Sequence, residues 1–131
     1  MKRNIFNQVV EPLEIHKDKR GLIVDIFYKS KIDHVAYIVT KKGEIRGNHY
    51  HKETIQHTLI LKGSVEYWER DINSTKSKSV NCKEGDIIFS APNKIHAFRY
   101  LDDSDMIVFT EGPRGGKNYE KDTFRVDSII D

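Results

Sequence analysis

At 131 residues the chain fits one domain with a hydrophobic core of its own. Hydrophobic residues at 37% and charged residues at 32% exclude a disordered chain. The 22 basic and 20 acidic residues are intermixed, and their net charge of +2 gives no footprint for nucleic acid or a membrane surface.

The single cysteine, Cys82, excludes an internal disulfide and suits a reducing compartment. No apolar run approaches the ~20 residues of a membrane span. The opening Met1-Lys2-Arg3-Asn4-Ile5-Phe6 is basic but lacks the apolar stretch of a signal peptide, so the expected setting is cytoplasmic.

In chain order, short runs rich in Val, Ile, Phe, Tyr or Trp recur between turn residues. They predict strands over 22–28, 34–39, 44–49, 56–62, 64–69, 86–89, 96–100 and 106–110. Ahead of them, Ile5, Phe6, Val9 and Val10 are expected to pack on a partner subunit or to cover an open end of the fold. Lys41-Lys42-Gly43-Glu44 and Lys62-Gly63-Ser64 read as tight connections, and 71–78 as an exposed loop. The tail 111–131 contains Gly112-Pro113-Arg114-Gly115-Gly116 and is expected to be irregular, with at most a turn or two of helix. Many short strands without a sustained helical period predict an all-β sandwich or barrel, with no repeat or second domain.

The chemistry concentrates in Gly47-Asn48-His49-Tyr50-His51, then Gln56, then Pro92-Asn93-Lys94-Ile95-His96. Residues two apart on a strand share a face, so His49 and His51 project together. Gln56 opens the next strand, and His96 follows a proline turn that aims it at the same pocket. Such a cluster binds a divalent metal or serves as an acid–base site. Lone histidines are more often solvated or hydrogen-bonded, and His16, His34 and His57 fall there. Tyr37 is taken as a substrate contact; Tyr28 and Arg20 are weaker pocket candidates.

These motifs resemble those of the cupin superfamily, whose first motif is Gly, His-x-His, an acidic residue and Gly, and whose second is Gly, Pro, a small turn residue and His. The resemblance implies a double-stranded β-helix, or cupin jelly roll, as a single domain spanning 1–131 with its barrel over roughly 20–110. Gln56 stands where a metal-binding cupin has Glu, and Asn93 stands where the second motif has Gly; asparagine tolerates the left-handed backbone that glycine would supply.

More narrowly, Arg46-Gly47-Asn48-His49-Tyr50-His51-Lys52 with Gln56 is similar to the signature of the dTDP-4-keto-6-deoxyhexose 3,4-ketoisomerases. The same string resembles the cupin domain of capsular-polysaccharide nucleotide-sugar enzymes. Segment 112–125 has no counterpart in the ketoisomerase pattern.

The resemblance implies a nucleotide-sugar isomerase or epimerase acting in bacterial surface-glycan synthesis. His49 and His51 are then the acid–base pair, because an imidazole exchanges protons near neutrality. Gln56 or His96 orients them or contacts the sugar, and Arg46 is the candidate for the diphosphate. Strict alternation puts Arg46 on the face opposite His49, so its role requires Gly47 to bend the strand.

No redox cofactor is expected, since no Gly-rich dinucleotide fingerprint is present. A divalent metal (Zn, Fe, Ni or Mn) held by His49, His51, Gln56 and His96 is the alternative. It would suit a metal-dependent cupin enzyme of another reaction type. A non-catalytic sugar-binding module is the third reading. By analogy with cupins, a homodimer is expected.

Overall fold

Alternation of buried and exposed side chains sets the architecture in the computed structural model, which describes residues 1–131. The first half supplies β1 (Lys2–Asn4), β2 (Ile15–Asp18), β3 (Gly21–Val24), β4 (His34–Thr40), β5 (Ile45–Tyr50) and β6 (Ile55–Lys62). The second half supplies β7 (Ser64–Asp71), β8 (Lys78–Lys83), β9 (Asp86–Ser90), β10 (Lys94–Tyr100), β11 (Ser104–Glu111), the helix α1 (Lys117–Lys121) and β12 (Phe124–Arg125). Along β11 every second residue, Ser104, Met106, Val108 and Thr110, is buried, the pattern of a sheet with one face inward.

Two antiparallel five-stranded sheets result, ordered β1-β9-β6-β11-β4 and β12-β5-β10-β7-β8, with β2–β3 as a separate hairpin. Between them lies the main core of Ile60, Val65, Tyr67, Cys82, Ile88, Phe98, Tyr100, Met106 and Val108. Each fully buried aliphatic side chain there contributes about 1.5–3 kcal/mol relative to exposure.

Toward one end the interior turns polar. Gln56, Ser90 and Thr110, aligned across β9, β6 and β11, are buried there, as is His96 on β10. The Tyr67 hydroxyl closes the apolar part by bonding Ser90 Oγ at 2.9 Å and Glu69 at 3.2 Å. The candidate site residues Gln56 and His96 therefore lie in the polar half of the interior.

The expected strands form, with four additions. Strands β1 and β2 precede the expected barrel, β8 occupies a stretch that begins at the end of the expected exposed loop, and β12 lies in the tail. The third strand ends at Val24 rather than reaching 28. The tail is not irregular throughout: it carries α1 and β12, and Ile129, 1% exposed, packs on Ile95 and Ala97.

Ile5 does not cover an open end of the barrel, and Phe6, Val9 and Val10 are exposed. Strand β1 pairs with β9 of its own chain, and Ile5 packs on Leu59 and Ile87. Those two side chains face away from the main core, so Ile5 covers the outer side of the first sheet. Asp86 ties this edge down, accepting from Asn4 Nδ2 at 3.0 Å and Lys2 Nζ at 3.2 Å.

Candidate active site

A β-bulge on β5 builds the site. Gly47 and Asn48 both adopt positive φ, 99° and 58°. Opposite them on β10, Ala97 pairs with Gly47 and His96 with His49, which leaves Asn48 unmatched. One extra residue reverses the parity of everything beyond it. Arg46, opposite Phe98, therefore shares the inward face with His49, and the conflict posed by strict alternation disappears. Asn48 also holds the tail, accepting from Val126 N at 2.9 Å through its carbonyl and from Ile129 N at 3.0 Å through Oδ1.

The three expected histidines meet. Ring centroids stand 5.0 Å apart for His49–His51, 4.8 Å for His49–His96 and 5.4 Å for His51–His96. Asn93, at φ 64°, makes the turn that delivers His96 and donates its N–H to the His51 carbonyl at 2.7 Å. His51 Nδ1 donates to the Asp122 carbonyl at 2.7 Å. A carbonyl only accepts, so Nδ1 carries a proton, and in the neutral ring Nε2 bears the lone pair. His51 Nε2 and His96 Nδ1 are both buried without a protein partner.

Burial, followed by the neighbouring His51 and the Arg125 and Arg114 guanidinium groups, pushes His49 down from 6.5 to about 4. Burial, then His49 and His51, lowers His96 well below its ordinary value. Both imidazoles are therefore neutral at pH 7.

In the unfolded chain these histidines take protons near 6.5, whereas the folded chain refuses them. Stability is full above that pH and falls as the medium acidifies from about 6.5 to about 4. The expected loss from His49 alone is about 2–3 kcal/mol. Urea midpoints measured at pH 7.5 and pH 4.5 test this, and equal midpoints would contradict it.

Asp122 anchors the tail beneath the histidines. Its carboxylate accepts from Lys52 N at 2.9 Å, Glu53 N at 3.0 Å, Thr54 N at 2.9 Å and Thr54 Oγ1 at 2.8 Å. Burial works to raise its pKa, but these donors outweigh it and hold the group below its ordinary value. Asp122→Ala should cost about 3 kcal/mol, because several charge-assisted bonds and a buried turn lose their acceptor. A urea midpoint within error of wild type would show that the latch contributes little.

Arg46, His49, Gln56 and His96 all line a cavity of about 580 Å³. Tyr37 does not: it is 59% exposed and donates to Asp105 at 2.7 Å on the outer face. The inward positions of β4 are 34, 36 and 38, so the Tyr37 expectation chose the wrong parity. His34 and Ile38 line the cavity instead, and the His34 Nδ1 is buried without a partner. Alternation along 34–39 could have found His34.

Tyr28 is exposed, and Arg20 bonds the Asp18 carboxylate at the surface. His57 pairs with Glu111 at 3.0 Å, and His16 with Glu14 at 2.9 Å. The tail contributes Arg114, Tyr119 and Arg125, none of which belongs to a periodic pattern.

Residues 16–124 match the family model described as the polysaccharide biosynthesis C-terminal domain. A curated relative, the UDP-2-acetamido-2,6-beta-L-arabino-hexul-4-ose reductase of Pseudomonas aeruginosa, is 24% identical over 96 residues, 72% of this chain and 26% of that protein. The chain thus spans about a quarter of the curated relative's length.

Among solved structures, the sugar 3,4-ketoisomerase QdtA of Thermoanaerobacterium thermosaccharolyticum, in complex with TDP, matches with TM-score 0.70 and 21% identity, over 87% of this chain and 84% of that one. The dTDP-4-dehydrorhamnose 3,5-epimerase of Sulfolobus tokodaii matches with TM-score 0.70 and 21% identity, over 92% and 85% of the two chains. The fold is the cupin jelly roll, as the sequence resemblance implied.

Proposed function

The chain belongs to the polysaccharide biosynthesis C-terminal domain family, and from that premise we propose that it is a nucleotide-sugar isomerase or epimerase. Its substrate is a 4-keto-6-deoxyhexose, and its setting is bacterial surface-glycan synthesis. The observation that carries this reading is His51 Nε2: a buried, unpartnered nitrogen, on a ring whose Nδ1 is held by a backbone carbonyl, beside two other imidazoles. The solved neighbours named as ketoisomerase and epimerase add support.

The chemistry follows from the acidity of a proton beside a ketone. His51 Nε2 takes the proton on C3, and the electron pair forms a C3–C4 double bond with charge on the C4 oxygen. A proton returned to C4, with transfer of the C3 hydroxyl proton to the C4 oxygen, leaves a hydroxyl at C4 and the ketone at C3. The proton taken by His51 passes to the neutral His49, which returns it to C4 and is left neutral again. Gln56 donates through its amide to the developing oxyanion, and His96 fixes the sugar's hydroxyl groups. Returning the proton to the original carbon from the other face gives epimerisation instead, through the same enediolate. No electrons leave the sugar, so the proposed reaction requires no redox cofactor.

The test is a panel of dTDP- and UDP-4-keto-6-deoxyhexoses in deuterated water, followed by proton NMR. At least one sugar should lose a ring-proton signal and show new ring signals. If none exchanges, while wild type and His49→Asn bind the panel equally, the reading falls. Binding without turnover would favour the non-catalytic sugar-binding module.

A second reading has its own support. The donor atoms of His49, His51 and His96 lie within 4.8 Å of one another, and nitrogens around a tetrahedral zinc stand about 3.3 Å apart. Small ring adjustments would gather them, and the Gln56 amide oxygen is a neutral fourth donor, so the residues fit a divalent Zn, Fe, Ni or Mn ion. When bound, the ion would supply Lewis-acid polarisation of a carbonyl oxygen. Stoichiometric metal in the purified protein, lost in His96→Ala, supports this reading; metal content that His96→Ala leaves unchanged opposes it.

A further inference from the structure

We propose that Arg114 is the principal anion-holding residue of the cavity and that it grips the diphosphate of the nucleotide sugar. Naming the anion a diphosphate rests on the proposed function; the anion site itself rests on the cavity.

The cavity wall carries three guanidinium groups, Arg46, Arg114 and Arg125, and no carboxylate. Their charges are not equally free. Arg125 is engaged by Glu120, whose two oxygens accept from its terminal nitrogens at 2.9 and 3.0 Å. Arg46 is held by neutral acceptors, Thr40 Oγ1 at 2.8 Å and the Val39 carbonyl at 3.4 Å, which orient it without cancelling its charge.

Arg114 has no anionic partner. Its Nε is buried and makes no hydrogen bond. A buried donor of this kind is unfavourable unless a ligand brings the acceptor.

Its presentation also suits an anion. The Arg114 guanidinium carbon stands 4.2 Å from the centre of the Tyr119 ring. Contact with an aromatic ring supports the group while leaving its donors free for a bidentate acceptor. Tyr119 in turn lies 6.4 Å from the His49 ring and 6.1 Å from the His51 ring, centre to centre. Tyr119 thus touches Arg114 on one side and neighbours the imidazoles on the other, so an anion on Arg114 lies in the same cavity as His49. Two uncancelled positive charges, on Arg46 and Arg114, match a doubly charged diphosphate. Arg114 lies in the tail segment without counterpart in the ketoisomerase pattern, so the tail, not the barrel, supplies the stronger anion contact.

The experiment is calorimetric titration of inorganic pyrophosphate, dTDP and UDP into wild type, R114Q, R114K, R125Q and the surface control R20Q, with thermal unfolding of each. Wild type should bind at least one nucleoside diphosphate. R114Q should weaken it about 30-fold and flatten its salt dependence. R125Q should weaken it no more than ~3-fold, as expected for a surface ion pair, and R20Q should not change it. With an exchanging 4-keto sugar, R114Q should raise KM while kcat stays close to wild type.

If R114Q binds as tightly as wild type, or wild type binds none of the three probes, the proposal is overturned. Should R114Q fail to fold, R114K decides, since it keeps the charge but loses the planar fork: weaker binding supports the site, and unchanged binding sinks it. Arg114-dependent anion binding in a protein that exchanges no ketosugar would keep this site and remove the isomerase reading. Exchange with an R114Q KM equal to wild type would do the reverse.

Discussion

His51→Asn should lower the rate of carbon–hydrogen exchange by about 10³-fold, the scale of a lost general base. Asparagine is the informative replacement because its Nδ2 occupies roughly the place of the imidazole Nδ1. The donor to the Asp122 carbonyl is retained, and only the lone pair at Nε2 is removed. Folding stability should therefore change by less than about 1 kcal/mol, which separates lost chemistry from lost structure.

His49→Asn is the companion. His49 is only half-buried and has no backbone anchor comparable to that of His51, so its loss should cost about 10²-fold. A His51→Asn enzyme within tenfold of wild type would mean that His51 Nε2 is not the base.

The acid side of the same argument concerns the whole cluster. Burial keeps His49 and His96 neutral. The positive charge of the cavity therefore comes from arginine, which does not titrate near neutrality. Anion binding and proton transfer are assigned to different residue types, and they are coupled, because the Arg114 and Arg125 charges help to lower His49.

How much of this could be read from sequence depends on the range of the interactions involved. Strands such as β6, β7, β10 and β11 announced themselves because runs rich in Val, Ile, Phe, Tyr or Trp between turn residues favour a pleated, half-buried surface. The meeting of His49, His51 and His96 was legible because spacing along β5 and a proline turn before β10 encode it locally.

Strand β8 was missed because it reads Lys-Ser-Val-Asn-Cys-Lys, with only Val80 and Cys82 to mark an inward face. Tyr37 was misassigned because an aromatic residue beside a predicted pocket says nothing of parity; alternation from Ile38 would have pointed to His34. The anchor at Asp122 bonds residues about seventy positions earlier. No local pattern records such a contact, so the tail could not be read as part of the site.

The bulge at Gly47 leads to the second large expected effect. Gly47→Ala should destabilise the protein by about 4 kcal/mol, combining left-handed backbone strain with overpacking. At φ 99° an L side chain is strained whatever the space around it, and here there is no space. A Cβ would sit 2.7 Å from the His96 carbonyl oxygen and 3.0 Å from the Ala97 Cα, both backbone atoms that cannot turn aside.

The chain has two ways to respond. It can separate β5 from β10, which pulls His49 from His96, or it can abandon the bulge. Losing the bulge restores strict alternation and swings Arg46 to the outer face. Either route damages the cavity, so exchange activity and diphosphate affinity should fall together even in the fraction that remains folded. Urea unfolding measures the first quantity and calorimetric titration of dTDP or UDP the second. A Gly47→Ala protein with an unchanged urea midpoint and unchanged nucleotide affinity would mean that β5 does not carry the extra residue, and Arg46 would lose its place on the cavity wall.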